Sequence, residues 1–417
     1  MSQKLAYHGG DKTIPDPLPT FRNRSGRQIG EEEKEALIEV VESGSLAYIC
    51  GTKVGEFEME FAALVGTQHA VSTSSGTAAI HTAIIYLNPE PGDEIIVSPI
   101  TDIGGVTPIL SQLAIPVFVD IDPYDQNMDP AKIEASITSR TRAIIVTHIY
   151  GAPADMDPIM EIANRHSLFV IEDCAQAHQT HYKGRTVGSI GHMGCFSFQQ
   201  SKHITTGDGG MVVSDRDEQF GRKLRECMDK GWPREGGSRD HLFLAPNYHM
   251  TELQAAVGLV QLKKLGEAVR LRRESASILD NRLSTVSEVR ALKWHPGCVE
   301  TRFCYVFTLN HNKLAVTGQE FAAALAAEGV DCFNGYPGNV PIYKYPVIKD
   351  HKTFGSSGWP FTLVESHGSI NYEEEICPEA EKACRDSVVI WWNEGLTAEH
   401  ANLIADAIDK VIANYRR

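Results

Sequence analysis

The 417-residue chain has no CxxC pair, no apolar run of 18 residues, no GxGxxG fingerprint and no GKT or GKS. The first absence excludes a zinc ribbon or dithiol site. The second excludes a membrane-spanning helix. The last two argue against a dinucleotide fold and a P-loop. Basic residues are also scarce: 39 Lys and Arg face 54 Asp and Glu, a net charge of −15, with no basic stripe for nucleic acid. The most basic stretch, Lys263 to Arg273, reads as the solvated face of a helix. Nine cysteines are scattered and odd in number, which suits buried thiols in a reducing cytoplasm. Met1 to Thr13 lacks the apolar stretch of a signal peptide. The expectations are no metal, no nucleic acid and no membrane.

What is present is a long alternating pattern. Residues 1–29 are punctuated by Pro and Gly and read as an arm across the surface. Helices are expected over Glu31–Ser43 and Gly55–Leu64. Short apolar runs then alternate with helical stretches. His69–Ser72, Glu94–Ser98, Ile115–Asp120, Arg142–His148, Leu168–Glu172, Gly194–Phe198 and Gly210–Ser214 read as strands. Helices fall at Gly76–Leu87, near Gly104–Gln112, at Pro130–Ile137 and at Met156–His166. Such alternation predicts a mostly parallel sheet with both faces covered, a three-layer α/β domain over 30–265. A long helix, Thr251–Leu283, leads to a smaller α+β domain over 266–417. There Phe303–Leu309 and Val388–Trp391 read as strands, and Gln319–Glu328 and Ala398–Ala413 as helices. The loop-rich run Gly335–Gly358 could frame a substrate pocket.

Three pieces could carry chemistry. Lys202 lies in a turn-rich segment between two apolar strands. Held against a cofactor and desolvated, its amine would be free for a Schiff base; it could equally be a surface lysine in a hairpin loop. Asp173 ends a buried strand, facing the crevice where α/β proteins bind ligands. There it could pair with the pyridine nitrogen of pyridoxal phosphate (PLP), or simply cap a helix. Thr73-Ser74-Ser75-Gly76-Thr77 opens a helix after a strand, a phosphate cradle or an ordinary cap. His148, His178 and His181 could reach the crevice, and His203 reads as a structural loop residue. Trp391 and Trp392 could stack on a sugar, with core packing the alternative.

Taken together, Ser74–Thr77, Glu172–Ala177, Phe196-Ser197-Phe198 with Lys202, Gly207–Gly210 and Asn247–Ala256 resemble motifs of the DegT/DnrJ/StrS family. Its members are PLP-dependent sugar and cyclitol aminotransferases of fold type I. The resemblance runs from Leu5–Gly10 to about Leu265, and more weakly to the end. It implies that Lys202 holds PLP as an imine and Asp173 pairs with the ring nitrogen. Gln176 would lie near the ring hydroxyl, and Ser75, Gly76, Thr77 and Ser197 would hold the phosphate. Asn247 would reach the neighbouring subunit's phosphate, which implies a homodimer with shared active sites. The implied reaction is ping-pong transfer from glutamine or glutamate to a keto-cyclitol, inosose-like. A nucleotide-linked keto-sugar is the close rival. A sugar dehydratase-like or catalytically silent PLP-binding protein is a further alternative. Two departures stand out: Asp102 where the family has a stacking aromatic, and His249 where Arg is usual.

Overall fold

The computed structural model describes residues 3–234, 239–363, 372 and 374–417. Its large sheet has seven strands: β1 His69–Thr73, β2 Glu94–Val97, β3 Ile115–Phe118, β4 Thr141–Thr147, β5 Phe169–Asp173, β6 Met193–Ser197 and β7 Gly210–Ser214. Their order is β1-β7-β6-β5-β4-β2-β3, and only β7 runs antiparallel to its neighbours. Side chains alternate between faces along a strand, and here both faces are core. Ile95, Val97, Ala143, Ile145, Ile171 and Val212 join one apolar cluster. Ile96, Ile144, Val146, Val170, Met211 and Val213 join the other.

Helices cover both faces. Helix α1 spans Glu31–Ser43, α2 Lys53–Val65 and α3 Gly76–Leu87. Helix α4 spans Met156–His166, α5 Glu218–Met228 and α6 Glu252–Leu283. Helices α3 and α5 bury Ala79, Ile80, Ala83, Phe220 and Leu224 on the first face. Helices α2, α4 and α6 bury Phe57, Phe61, Ile159, Ala255 and Leu259 on the second. The expected helix near Gly104–Gln112 is split into a 3-10 turn, Ile103–Gly105, and Thr107–Ser111. The expected helix Pro130–Ile137 is likewise short, Pro130–Ile133 with a following 3-10 turn.

A second, antiparallel sheet has β8 Val289–Ala291, β9 Cys304–Leu309, β10 Cys332–Asn334 and β11 Ser387–Trp391, in the order β8-β9-β11-β10. Helices α7 Gly318–Ala327, α8 Pro378–Asp386 and α9 Ala398–Tyr415 accompany it. Its core takes Phe307, Phe321, Ile390, Trp392, Ile404 and Ile408. Helix α6 serves both regions: Leu259 and Leu265 pack under the large sheet, while Ala276, Leu279 and Leu283 pack with the small one. Its start is fixed by a reciprocal cap in which Thr251 and Gln254 each accept the other's backbone N–H.

Two surface expectations change. The arm is stitched into the fold: Leu5 and Ile14 are buried, and Glu328 accepts from Ala6 N and Thr13 N. Arg272, in the stretch read as solvated, is wholly buried. It donates to Glu394 Oε2 at 2.8 Å and 3.0 Å and to Trp392 O at 2.8 Å. A charge at such a depth needs those acceptors, which are supplied from 120 residues or more away.

Candidate active site

Parallel strands place their C-terminal ends along one edge, so the loops that follow them share a crevice. Here the β2 end leads to Asp102, the β4 end to His148, and β5 finishes on Asp173. Register does the rest. Thr73 pairs with Gly210 and Gly210 with Ser197, which sets the α3 N-terminus beside Ser197. Asp173 pairs with Cys195, two residues before Ser197.

Asp173 is 5% exposed and accepts from Ala175 N at 3.1 Å. Burial pushes its carboxyl up, against the pull of Ala175 N–H and Lys202. The strand end is clamped from behind. Glu172 accepts from Gly188 N, Ile190 N and Gly191 N, and His148 Nε2 lies 2.9 Å from it. His148 Nδ1 accepts from Ala154 N, which leaves the proton on Nε2 to donate to Glu172. With Cys174 these groups lie close enough for an ion, but both His148 nitrogens and both Glu172 oxygens are already used. The cluster is therefore a clamp on β5.

Lys202 follows β6 in a loop closed by Lys202 N donating to Gln199 O and Thr206 N to Phe198 O. Arg27 of the arm donates to Lys202 O at 2.6 Å, and Gln200 donates to Phe21 O. The Lys202 ammonium lies 4.5 Å from the Phe303 ring centroid. Burial pushes Lys202 down, opposed by the Asp102 and Asp173 carboxylates. The free amine is thus more available than on an ordinary lysine.

The cradle forms where α3 begins. Ser75 caps the helix, accepting from Ala78 N at 3.1 Å. The N–H groups of Gly76 and Thr77 have no acceptor among the described residues. A Cβ on Gly76 would stand 2.6 Å from Ser197 Cβ, so only glycine allows this approach. A Cβ on Gly104 would stand 2.4 Å from Thr77 Oγ1 and 3.0 Å from Asp102 Oδ1. Two N–H groups with no acceptor among the described residues thus stand at a helix N-terminus, with Ser197 packed against Gly76, which is the chemistry of an anion cradle.

Gln176 is held on both sides: Tyr150 N donates to its Oε1 at 2.9 Å, and its Nε2 donates to Tyr336 OH at 2.7 Å. Asp102 caps the Ile103–Gly105 turn through Gly104 N and remains exposed. Asn247 stands apart. It is exposed, accepts from His249 N, and no hydrogen bond among the described residues ties it to Lys202, Asp173 or Ser197. His249 bonds Asp229 and stacks on Tyr48. His178 is buried among Phe196, Phe198 and His203, and burial draws it down to about 3, so it is neutral. His203 is a buried loop residue bonded to Thr301 O. His181 lies on a separate short strand paired with Thr186 and Val299.

Three residues here were not singled out by the sequence. Arg27 lies in the arm, Phe303 immediately precedes β9, and Tyr336 opens the loop-rich run. Only Tyr336 fell in a segment that the sequence marked for a pocket. A cavity of about 750 Å³ lies elsewhere, between α2 and α5, lined by Glu58, Met59, His69, Arg225 and Trp232.

A model of the DegT/DnrJ/EryC1/StrS aminotransferase family matches residues 27–409. The L-glutamine:2-deoxy-scyllo-inosose aminotransferase of Streptomyces lividus is 35% identical, over 97% of this chain and 94% of that protein. The GDP-perosamine synthase of Caulobacter vibrioides is also 35% identical, over 75% of this chain and 84% of that protein. The X-ray structure of the aminotransferase from Psychrobacter cryohalolentis superposes with a TM-score of 0.82 at 30% identity, covering 96% of this chain and 99% of that one.

Proposed function

Since the chain belongs to the DegT/DnrJ/EryC1/StrS aminotransferase family, we propose that it moves an amino group from glutamine or glutamate to a keto-cyclitol, with PLP held at Lys202. The observation that carries this reading is Lys202 itself. Its amine is drawn down by burial, has Asp173 as an electrostatic neighbour, and sits in the loop that follows Ser197 at the end of β6. Those residues fit the cofactor: Ser75, Gly76, Thr77 and Ser197 would hold its phosphate, Asp173 its ring nitrogen and Gln176 its ring hydroxyl. When bound, PLP supplies an electron sink for the electrons released at the substrate carbon.

The chain's own groups do the rest. Asp173, held by Ala175 N at the end of the clamped strand β5, would offer its carboxylate to the ring nitrogen. Lys202 Nζ would take the proton from the donor α-carbon and later return one to the acceptor carbon. Phe303 shields that amine from water on one side. Asn247 crosses to a second copy's phosphate in a homodimer. The loop that carries it exposes Leu242 and Leu244, which suits a surface covered by a partner. No helix among the described residues is long and apolar enough to cross a membrane, and the proposed place of work is the cytoplasm. A nucleotide-linked keto-sugar is the second reading, favoured by the similarity to the Caulobacter protein.

An absorbance titration tests the proposal. Purified protein with PLP should show a yellow band that L-glutamine or L-glutamate bleaches, and Lys202→Ala should show no such band. A band that neither donor bleaches refutes the transferase reading. The bleached protein is then offered 2-deoxy-scyllo-inosose and a nucleotide-linked 4-keto-sugar, and return of the band identifies the acceptor class.

A further inference from the structure

Adjacent tryptophans at the end of β11 take different fates. Side chains of a strand point to alternate faces. Val388, Ile390 and Trp392 face the core of the small sheet. Trp392 is 2% exposed, and its indole N–H donates to Arg272 O and Ser275 Oγ. Trp391 takes the other face with Val389 and is only half-buried. Its indole N–H donates to no group among the described residues.

The surroundings of Trp391 connect it to the reacting amine. Phe303, whose ring carries the Lys202 ammonium at 4.5 Å, meets Trp391 edge-on at 5.7 Å. Phe21 of the arm meets it at 5.0 Å, and Phe333 on β10 lies tilted at 5.3 Å. Phe333 in turn lies 6.4 Å from Tyr336, the partner of Gln176. Phe21, Phe333 and Trp391 all keep partial exposure. Four rings therefore form an apolar wall beginning at Lys202, with one unused N–H donor in it. Core packing would have closed this wall and given the indole an acceptor, as it does for Trp392.

We infer that Trp391, framed by Phe21 and Phe333, is the platform on which the acceptor ring lies. A cyclitol or sugar with equatorial hydroxyls presents C–H groups on its broad faces. An indole accepts such a face and can donate its N–H to a rim hydroxyl. The inference rests on the proposed keto-cyclitol or keto-sugar acceptor and names how the ring is recognised.

Two measurements on the PLP-loaded protein test it. In the first, scyllo-inositol is titrated against intrinsic tryptophan fluorescence. Wild type should be quenched saturably, and Trp391→Phe should lose that quench. In the second, Trp391→Ala and Trp391→Phe are compared in amination of 2-deoxy-scyllo-inosose. Trp391→Ala should lose at least tenfold more in kcat/KM for the acceptor than for L-glutamine. Trp391→Phe, which keeps an aromatic ring against Phe21, should recover part of that loss. An unquenched wild type up to 100 mM scyllo-inositol, the same quench in Trp391→Phe, or equal losses for donor and acceptor would overturn the inference. Bleaching by L-glutamine reports separately on the transferase reading, so its failure is not confused with failure of the platform.

Discussion

Replacing Gly76 by Ala sets two effects of opposite sign against each other. Alanine is the better helix former, by up to about 1 kcal/mol. Its Cβ, however, would stand 2.6 Å from Ser197 Cβ and 3.1 Å from Ser197 Oγ. Carbon atoms rest at about 3.5–4.0 Å, so β6 and the α3 N-terminus must part by about 1 Å. Overpacking of this kind costs about 1–3 kcal/mol, and the clash outweighs the propensity. Parting the two elements also separates Gly76 N–H and Thr77 N–H from the Ser197 hydroxyl. Each hydrogen bond to a charged group contributes about 1.5–3 kcal/mol. Losing one or weakening two lowers PLP affinity by about 10–100-fold, at 1.4 kcal/mol per tenfold. The assay is a titration of apo-protein with PLP and, in parallel, with pyridoxal, which lacks the phosphate. The PLP dissociation constant should rise 10–100-fold and that of pyridoxal much less. Thermal unfolding of the apo-protein should occur at lower temperature, and Ser197→Gly in the same chain should restore it by removing the opposing Cβ. Wild-type PLP affinity, equal losses for PLP and pyridoxal, or no recovery on Ser197→Gly would refute the steric argument.

Other expectations follow the same logic. Arg272→Ala removes both guanidinium bonds to Glu394 Oε2 and leaves Glu394 only Arg27, 3.4 Å from its other oxygen, and should cost about 3–5 kcal/mol in denaturant unfolding. Burial raises Asp125 from 3.8 to about 6. A carboxyl raised by folding favours the folded state while protonated, below its unfolded value, and loses that contribution as pH rises through about 6. Asp125→Asn should therefore raise Tm by about 1–3 °C at pH 8 and leave it unchanged near pH 3. Asp102→Phe should tighten PLP up to about tenfold by offering a ring to stack, worth about 0.5–1.5 kcal/mol. In the apo-protein the same change removes an acidic neighbour of Lys202, so acylation of Lys202 by acetic anhydride should reach half its maximum at lower pH.

Much of the large sheet was legible because both faces are buried and the strands are short apolar runs between helices. Every one of its seven strands falls within a residue or two of its expected span. Helix α5 was missed although Phe220, Leu224, Cys227 and Met228 recur at helical spacing, because most of its remaining residues are charged and Gly221 interrupts them. Strands β8 and β10 are three residues each, too short to show a period. At the candidate site, the places of Asp173 and Lys202 beside strands were legible. Their supports were not. The contacts of Arg27 with Lys202 O and of Tyr336 with Gln176 join residues 160 or more apart. Charge patterning placed Arg272 at the surface, since nothing local announces that Glu394 and Trp392 O wait for it. Trp391 and Trp392 differ only by the parity of the strand, which the sequence shows once the register is known.

The 32 residues of α6 span about 48 Å at 1.5 Å each. One end is pinned to the Lys202 loop, where Gln254 Nε2 donates to Asp208 O. Further along, Arg272 grips Trp392 O, one residue beyond the half-buried indole of Trp391. The helix thus acts as a ruler, and the distance between the Lys202 loop and the segment that carries Trp391 is written into its length. A one-residue insertion in its middle would turn everything beyond it by about 100° and advance it by about 1.5 Å. Arg272 would then leave its acceptors, and the Trp391 segment and the Lys202 loop would lose their common gauge.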